Sequence, residues 1–86
     1  MEGTTMATKD TITLYFRDGI SDKFYTVSVL EKDGGFLVPF TFGKYGTVGQ
    51  CGYKANGKPV PYEKAKKLYD SVINERLAKG YTEARA

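Results

Sequence analysis

The chain has 86 residues, of which 41% are hydrophobic and 27% charged, a size and composition that fit one small globular domain. It contains no histidine and one cysteine, Cys51, which excludes an intramolecular disulfide and a zinc site of the usual Cys/His type. Neither a run of about 18 apolar residues nor a signal-peptide pattern is present, so we expect a cytoplasmic protein (nuclear in a eukaryote) with no membrane contact.

Four segments with an alternating or largely apolar pattern predict strands of an antiparallel sheet. They are residues 11–16, 23–31, 36–42 and approximately 50–54. The polar residues 1–10 before them predict a flexible tail. Lys32-Asp33-Gly34-Gly35 predicts a hairpin turn between the second and third strands, since glycines tolerate the positive φ that such turns require.

One helix is predicted over residues 62–79. Six apolar residues there recur with helical spacing: Ala65, Leu68, Tyr69, Val72, Ile73 and Leu77. Pro61 suits the first turn and Gly80 suits the position just past the last one. The predicted fold is therefore α+β, a four-stranded antiparallel sheet with one C-terminal helix packed on one face. This domain covers residues 11–83, with a short tail at residues 84–86.

The net charge of +3 is concentrated in the middle of the chain. Residues 1–40 carry −2, residues 68–86 are balanced, and residues 41–67 carry six lysines against Glu63 alone, for +5. An anionic partner would be drawn to this segment. A lysine-rich solvated surface explains the same excess, and charge alone does not separate the two interpretations.

The residue types that enzymes need are poorly represented. Nucleophilic catalysis requires a base beside the nucleophile, and the commonest base is missing. Asp18 and Asp22 lie in a polar turn, where acids usually cap and solubilise. The glycines spaced by three in GKYGTVGQ predict a tight turn, because no helix follows directly as it would in a phosphate-binding loop. We therefore expect no enzyme, no metal and no cofactor.

Three segments carry a resemblance to one family. FGKYGTVGQ, beginning at Phe42, resembles the signature of WGR domains, in which Trp-Gly-Arg is followed by a short apolar-Gly stretch and Gly-Gln. Lys23-Phe24-Tyr25 is similar to the family's strand before the hairpin, and Lys79-Gly80-Tyr81 to the end of its helix. The resemblance covers residues 11–83 and implies a non-catalytic binding module of the same fold.

The resemblance implies contact with a DNA break, which such a domain makes in poly(ADP-ribose) polymerases. The signature Trp packs near the terminal nucleotide, while the signature Arg and an Asn before Lys-Phe-Tyr approach the 5′ phosphate. By position these roles fall on Phe42, Lys44 and Asp22. Lysine keeps the charge of arginine without its bidentate fork, and a carboxylate near a phosphate repels it.

Two functions follow from these observations. The first is nucleic-acid binding, with DNA ends or nicks as ligand, through the basic and aromatic surface of residues 41–67. Its candidate residues are Phe42, Lys44, Tyr45, Gln50, Lys54 and Lys23. The alternative is a protein-interaction or regulatory module without a nucleic-acid ligand. Purely structural roles are also open, with Phe42 as a core or strand-end aromatic and Lys44 as a solvated turn lysine. In either case we expect a monomer.

Overall fold

The computed structural model describes residues 6–83, and its side chains from Thr8 onward. Residues 1–5 and the tail predicted at residues 84–86 lie outside the described residues. Five strands and one α-helix follow each other in the order β1 Met6–Asp18, β2 Ser21–Lys32, β3 Gly35–Leu37, β4 Pro39–Lys44, β5 Gln50–Tyr53 and α1 Tyr62–Ala78.

The strands form one antiparallel sheet in the order β1-β2-β4-β5, and β3 pairs with β2. β3 and β4 together make the third strand of the prediction, interrupted at Val38. The interruption lies just before Pro39, which has no N–H to give to a ladder. Val38 remains bonded, because its carbonyl accepts the N–H of Lys54 at 3.0 Å. The predicted α+β architecture is confirmed.

The first strand begins earlier than its side chains indicate. β1 already pairs with β2 at Met6, opposite Lys32, and the register shifts by one residue between Thr8 and Asp10. Residues 6–10 are therefore strand, and their assignment to a tail was wrong. The sequence of this segment shows no alternation of apolar and polar residues, but backbone pairing with an existing strand does not require such a pattern on both partners.

Both long hairpins turn through two residues. Asp33 and Gly34 have φ of 51° and 84°, the pair of positive values that a type I′ turn requires. Gly19 has φ of 61° and is followed by Ile20, whose side chain is fully exposed at the tip of the β1–β2 hairpin. The second turn confirms the hairpin predicted at Lys32-Asp33-Gly34-Gly35.

The core lies between the helix and one face of the sheet. Alternate residues of β2 point to this face, and Tyr25, Val27 and Val29 are all buried there. The helix contributes Ala65, Tyr69 and Val72 to the same cluster. The packing of helix on sheet is thus as predicted, and it leaves the end of the sheet that carries Phe42 and Lys44 open to solvent.

Candidate functional site

A cleft of about 520 Å³ opens at the end of the sheet where β2 begins and β4 ends. The turn that follows α1 closes its other side. The side chains that give the cleft its chemistry are Asp22, Lys23, Phe42, Lys44, Arg76 and Tyr81. The three positions to which the family's DNA-contacting roles were carried over therefore line one surface feature.

Strand register explains why Phe42 and Lys44 lie in the cleft. Phe42 is opposite Tyr25 and Lys44 is opposite Lys23, so all four side chains project from the face that carries the helix. Phe42 stacks on Tyr25 with ring centroids 5.9 Å apart and keeps 38% of its surface exposed. Its ring thus forms a wall of the cleft and is not sealed in the core.

The pairing of Lys23 with Lys44 concentrates positive charge at the cleft. Like charges directly opposite each other on neighbouring strands are destabilising. Both side chains are exposed, and the Lys23 ammonium lies 5.8 Å from the ring centroid of Phe16. An anion between the two ammonium groups would relieve their repulsion.

The turn after β4 is built by close backbone packing. Gly46 has φ of 90°, and the hydroxyl of Thr47 donates to the carbonyl of Lys44 at 2.7 Å. A Cβ on Gly49 would lie 2.5 Å from the carbonyl oxygen of Phe42, and one on Gly43 would lie 2.8 Å from the Cα of Gly49. The glycine spacing therefore serves a tight turn, as predicted.

Three of the sequence-predicted residues lie outside the cleft. Tyr45 packs edge-to-face on Tyr15, which pairs with a β2 residue on the opposite face of the sheet. Gln50 is exposed and pairs with Phe42 across β4 and β5. Lys54 lies past the other end of β5, with its ammonium 5.1 Å from the Phe40 ring centroid. The structure thus brings together Lys23, Phe42 and Lys44, and separates the other three from them.

The lysines of residues 41–67 do not gather at the cleft. Lys44 is the one lysine of that segment among the lining residues. Lys66, in the first half of α1, lies 3.9 Å from a carboxylate oxygen of Asp10 and 3.7 Å from one of Asp70. The other cations at the cleft come from β2 and from the end of α1. The positive charge of the cleft therefore does not correspond to the lysine-rich segment 41–67.

Arg76 is a cleft residue that the sequence reasoning missed. Its guanidinium carbon lies 4.6 Å from the ring centroid of Tyr25 and 5.8 Å from that of Tyr81. A signal was present, since Arg76 continues the helical spacing of Tyr69 and Val72 and so falls on the stripe that faces the sheet. Leu77, which the prediction placed on that stripe, is 44% exposed instead.

The end of α1 positions Arg76 and Tyr81 together. The N–H of Gly80 donates to the carbonyl of Leu77, and that of Tyr81 to the carbonyl of Arg76, the bond pattern of a Schellman motif. Gly80 has φ of 100°, as expected from its position just past the helix. The chain then pairs with the edge of β1, where Thr82 exchanges two backbone hydrogen bonds with Tyr15.

The electrostatics of the cleft are mixed but mainly positive. Asp22 is half-buried and is the one carboxylate among the lining residues in the described part of the chain. Its backbone carbonyl accepts the N–H of Tyr45 at 2.8 Å. Burial raises the pKa of the Tyr25 phenol, an effect that the neighbouring Arg76 guanidinium partly opposes. Tyr25 therefore stays neutral beside three cations at physiological pH.

The arrangement is suited to binding an anion that carries a flat, stackable group. An exposed aromatic ring supplies the stacking surface, and lysine and arginine supply charge. Within residues 6–83 no group of three or more His, Cys, Asp or Glu could hold a metal ion. The helix of these residues is not long and apolar enough to cross a membrane.

Comparison with known proteins gives one match. The model of the WGR domain family matches residues 10–86, nearly the whole chain. No curated protein and no solved structure matches this chain.

Proposed function

The chain belongs to the WGR domain family, and from this premise we propose that it is a DNA-binding module that holds DNA ends or nicks in the cleft beside Phe42. WGR domains are non-catalytic and generally bind nucleic acids. The sugar or base of a terminal nucleotide would pack on Phe42, and Lys23 and Lys44 would contact the phosphates beside it.

One observation carries this proposal. The exposed ring of Phe42 lies in the same cleft as Lys23 and Lys44, which are cross-strand partners in β2 and β4. Stacking on an aromatic side chain is worth about 1–3 kcal/mol per base and does not depend on the identity of the base. Lysine contacts to phosphate are likewise independent of sequence. The expected binding is therefore sequence-independent and sensitive to salt.

Asp22 sets the expected strength of binding. Its carboxylate lines the same cleft, where it would repel a phosphate. At partial exposure such a repulsion is worth on the order of 1 kcal/mol, or about a fivefold loss of affinity. We therefore propose micromolar affinity, weaker than the cation content alone would give.

A fluorescence anisotropy titration tests the proposal directly. Labelled DNA with a blunt end, a nick or a single strand is titrated with the protein at about 50 and 200 mM salt. We expect micromolar binding at the lower salt and clearly weaker binding at the higher salt. Binding should be tighter for ends and nicks than for a duplex that is closed by a loop at both termini and so has no ends. Absence of binding at low salt would reject the proposal.

A pair of charge-neutralising variants locates the binding surface. Lys44→Gln should weaken binding several-fold and reduce the dependence on salt, because one phosphate contact is lost. Lys67→Gln is the matched control, an exposed lysine of α1 nine residues before Arg76, or about 13 Å along the helix. Equal losses in the two variants would mean that DNA is held by diffuse charge and not by the cleft.

A second candidate function is recognition of a protein. The fully exposed Ile20 stands at the mouth of the cleft, and Asp22 inside it disfavours a phosphate, so a peptide with an apolar side chain fits the same surface. Capture from a lysate treated with nuclease separates the two functions. A protein partner is retained after nuclease treatment, whereas a complex bridged by nucleic acid is lost.

A further inference from the structure

A second, smaller pocket lies against the cleft. It has a volume of about 280 Å³ and is lined by Phe16, Lys23, Arg76, Lys79 and Tyr81. Three of these residues, Lys23, Arg76 and Tyr81, also line the cleft, so the two cavities meet at the Arg76 guanidinium. Among the described residues no carboxylate lines the smaller pocket, whose wall carries three cations, although Glu75 lies beside Arg76.

The Arg76 guanidinium is held mainly by its contact with the Tyr25 ring, and its one ion pair among the described residues is long. Its carbon lies over the Tyr25 ring, 4.6 Å from the centroid, a cation–π contact that restricts the side chain. Within residues 6–83 its one polar contact joins Nη2 to Oε1 of the neighbouring Glu75 at 3.5 Å, at the limit for a hydrogen bond. Its Nε–H is enclosed and has no hydrogen-bond partner there.

Arginine is better suited than lysine to anchor a phosphate at this position. Its planar fork binds two phosphate oxygens at once, whereas an ammonium group acts as a point charge. Stacking has already restricted the Arg76 side chain, so little further conformational entropy is lost when an anion binds. Lys23 and Lys44, by contrast, are exposed.

We propose that Arg76 is the principal phosphate ligand of this protein, and that it holds two successive phosphates of one DNA strand, one in the cleft beside Lys44 and one in the smaller pocket beside Lys79. This inference rests on the proposed DNA-binding function. The helix thereby supplies the bidentate group that Lys44 cannot, and it sets the path of the strand from Phe42 across Arg76 towards the end of α1.

Arg76→Lys keeps the charge and removes the fork. Losing one charge-assisted bidentate contact should raise the Kd for nicked DNA about tenfold, while the slope of affinity against salt stays near that of the wild type because no charge is lost. Lys79→Gln should reduce that slope by about one. It should also weaken binding of 5′-phosphorylated thymidine dinucleotide, which has two phosphates, and leave thymidine 5′-monophosphate unaffected.

A measurement on the unmodified protein does not depend on how the variants fold. The Nε–H resonances of arginine side chains are followed by NMR while nicked DNA is added. The Arg76 resonance should shift and sharpen as its guanidinium engages phosphate. An Arg76 resonance that does not move would overturn the inference.

Different experimental results would reject the DNA-binding function and the role of Arg76. If the wild type binds no DNA at about 50 mM salt, the DNA-binding function itself is wrong. If the wild type binds, Lys44→Gln weakens binding and Arg76→Lys does not, the cleft is the binding site and Arg76 only stacks on Tyr25. If Lys79→Gln affects the mononucleotide and the dinucleotide equally, there is no second phosphate site.

Discussion

Phe42 stacks nearly parallel to Tyr25, with their planes inclined by 17°, although one ring is exposed and the other is 95% buried. Phe40 continues the row, 6.0 Å from Tyr25 and 6.1 Å from Phe42. The aromatic surface of the cleft is thus the outer end of an aromatic cluster that begins in the core. Its orientation is fixed by packing before any ligand arrives.

Shortening Phe42 should affect binding more than folding. Phe42→Ala removes a stacking surface and should lower DNA affinity by about 5–150-fold. Since the ring is only partly buried, the free energy of unfolding should fall by about 1–2 kcal/mol. Anisotropy titration and urea denaturation measure the two effects. Phe42→Trp, which enlarges the ring, should bind at least as tightly as the wild type. If Phe42→Trp binds as weakly as Phe42→Ala, the assigned stacking role is contradicted.

Removing the carboxylate from the cleft should strengthen binding. Asp22→Asn keeps the size of the side chain and the backbone carbonyl that accepts from Tyr45, so the fold should be preserved. The affinity for nicked DNA should rise about fivefold at low salt, and the gain should shrink at high salt. Asp33→Asn is the matched control in the distant hairpin turn, where asparagine suits the positive φ. A similar gain in the control would show a general charge effect.

The turn that supports the cleft should be sensitive to a single methyl group. Gly49→Ala places a Cβ 2.5 Å from the carbonyl oxygen of Phe42 and 2.9 Å from Phe24, at a positive φ. We expect a loss of unfolding free energy on the order of 3 kcal/mol, measured by urea denaturation. Gly46→Ala also has a positive φ but meets nothing within 4 Å, so it should lose only about 1–2 kcal/mol. Equal losses would show that strain alone, and not close packing, requires glycine.

Stability should fall at alkaline pH through the buried tyrosines. Burial raises the pKa of Tyr25 above 10.0, and that of Tyr69 in the same direction. The folded chain therefore holds these protons more tightly than the unfolded chain. Their contribution is complete below about pH 10 and is lost as the pH rises above the unfolded pKa.

The Tyr25→Phe variant isolates this effect. Lysines deprotonate in both proteins, so the difference in unfolding free energy between wild type and variant, followed by urea denaturation from pH 8 to 11, reports Tyr25. The wild type should lose stability more steeply than Tyr25→Phe above pH 10. Parallel curves for the two proteins would contradict the raised pKa.

The sequence predicted what depends on local patterns. The helix ends one residue before the predicted bound, and Asp33-Gly34 makes the hairpin turn that its residues favour. Both follow from neighbouring residues alone. The start of β1 at Met6 did not follow, because that segment is a strand only through its pairing with the far end of β2.

The candidate site was predictable only in part for the same reason. Phe42 and Lys44 lie on one strand at a spacing of two, which places them on one face without knowledge of the fold. Arg76 reaches them only because α1 packs on the sheet and β2 brings Tyr25 within 4.6 Å of the guanidinium. A residue whose neighbours come from three separate elements leaves a weak trace in the linear sequence.

The backbone hydrogen bonds between Tyr15 and Thr82 can be used to monitor whether the wall of the cleft is intact. If the last turn of the helix unfolds locally, these hydrogen bonds break together with the loss of Tyr81 and Arg76 from the wall of the cleft. Amide exchange at Tyr15 and Thr82 should then measure how often the binding surface comes apart, and a bound polyanion should slow that exchange at both positions together.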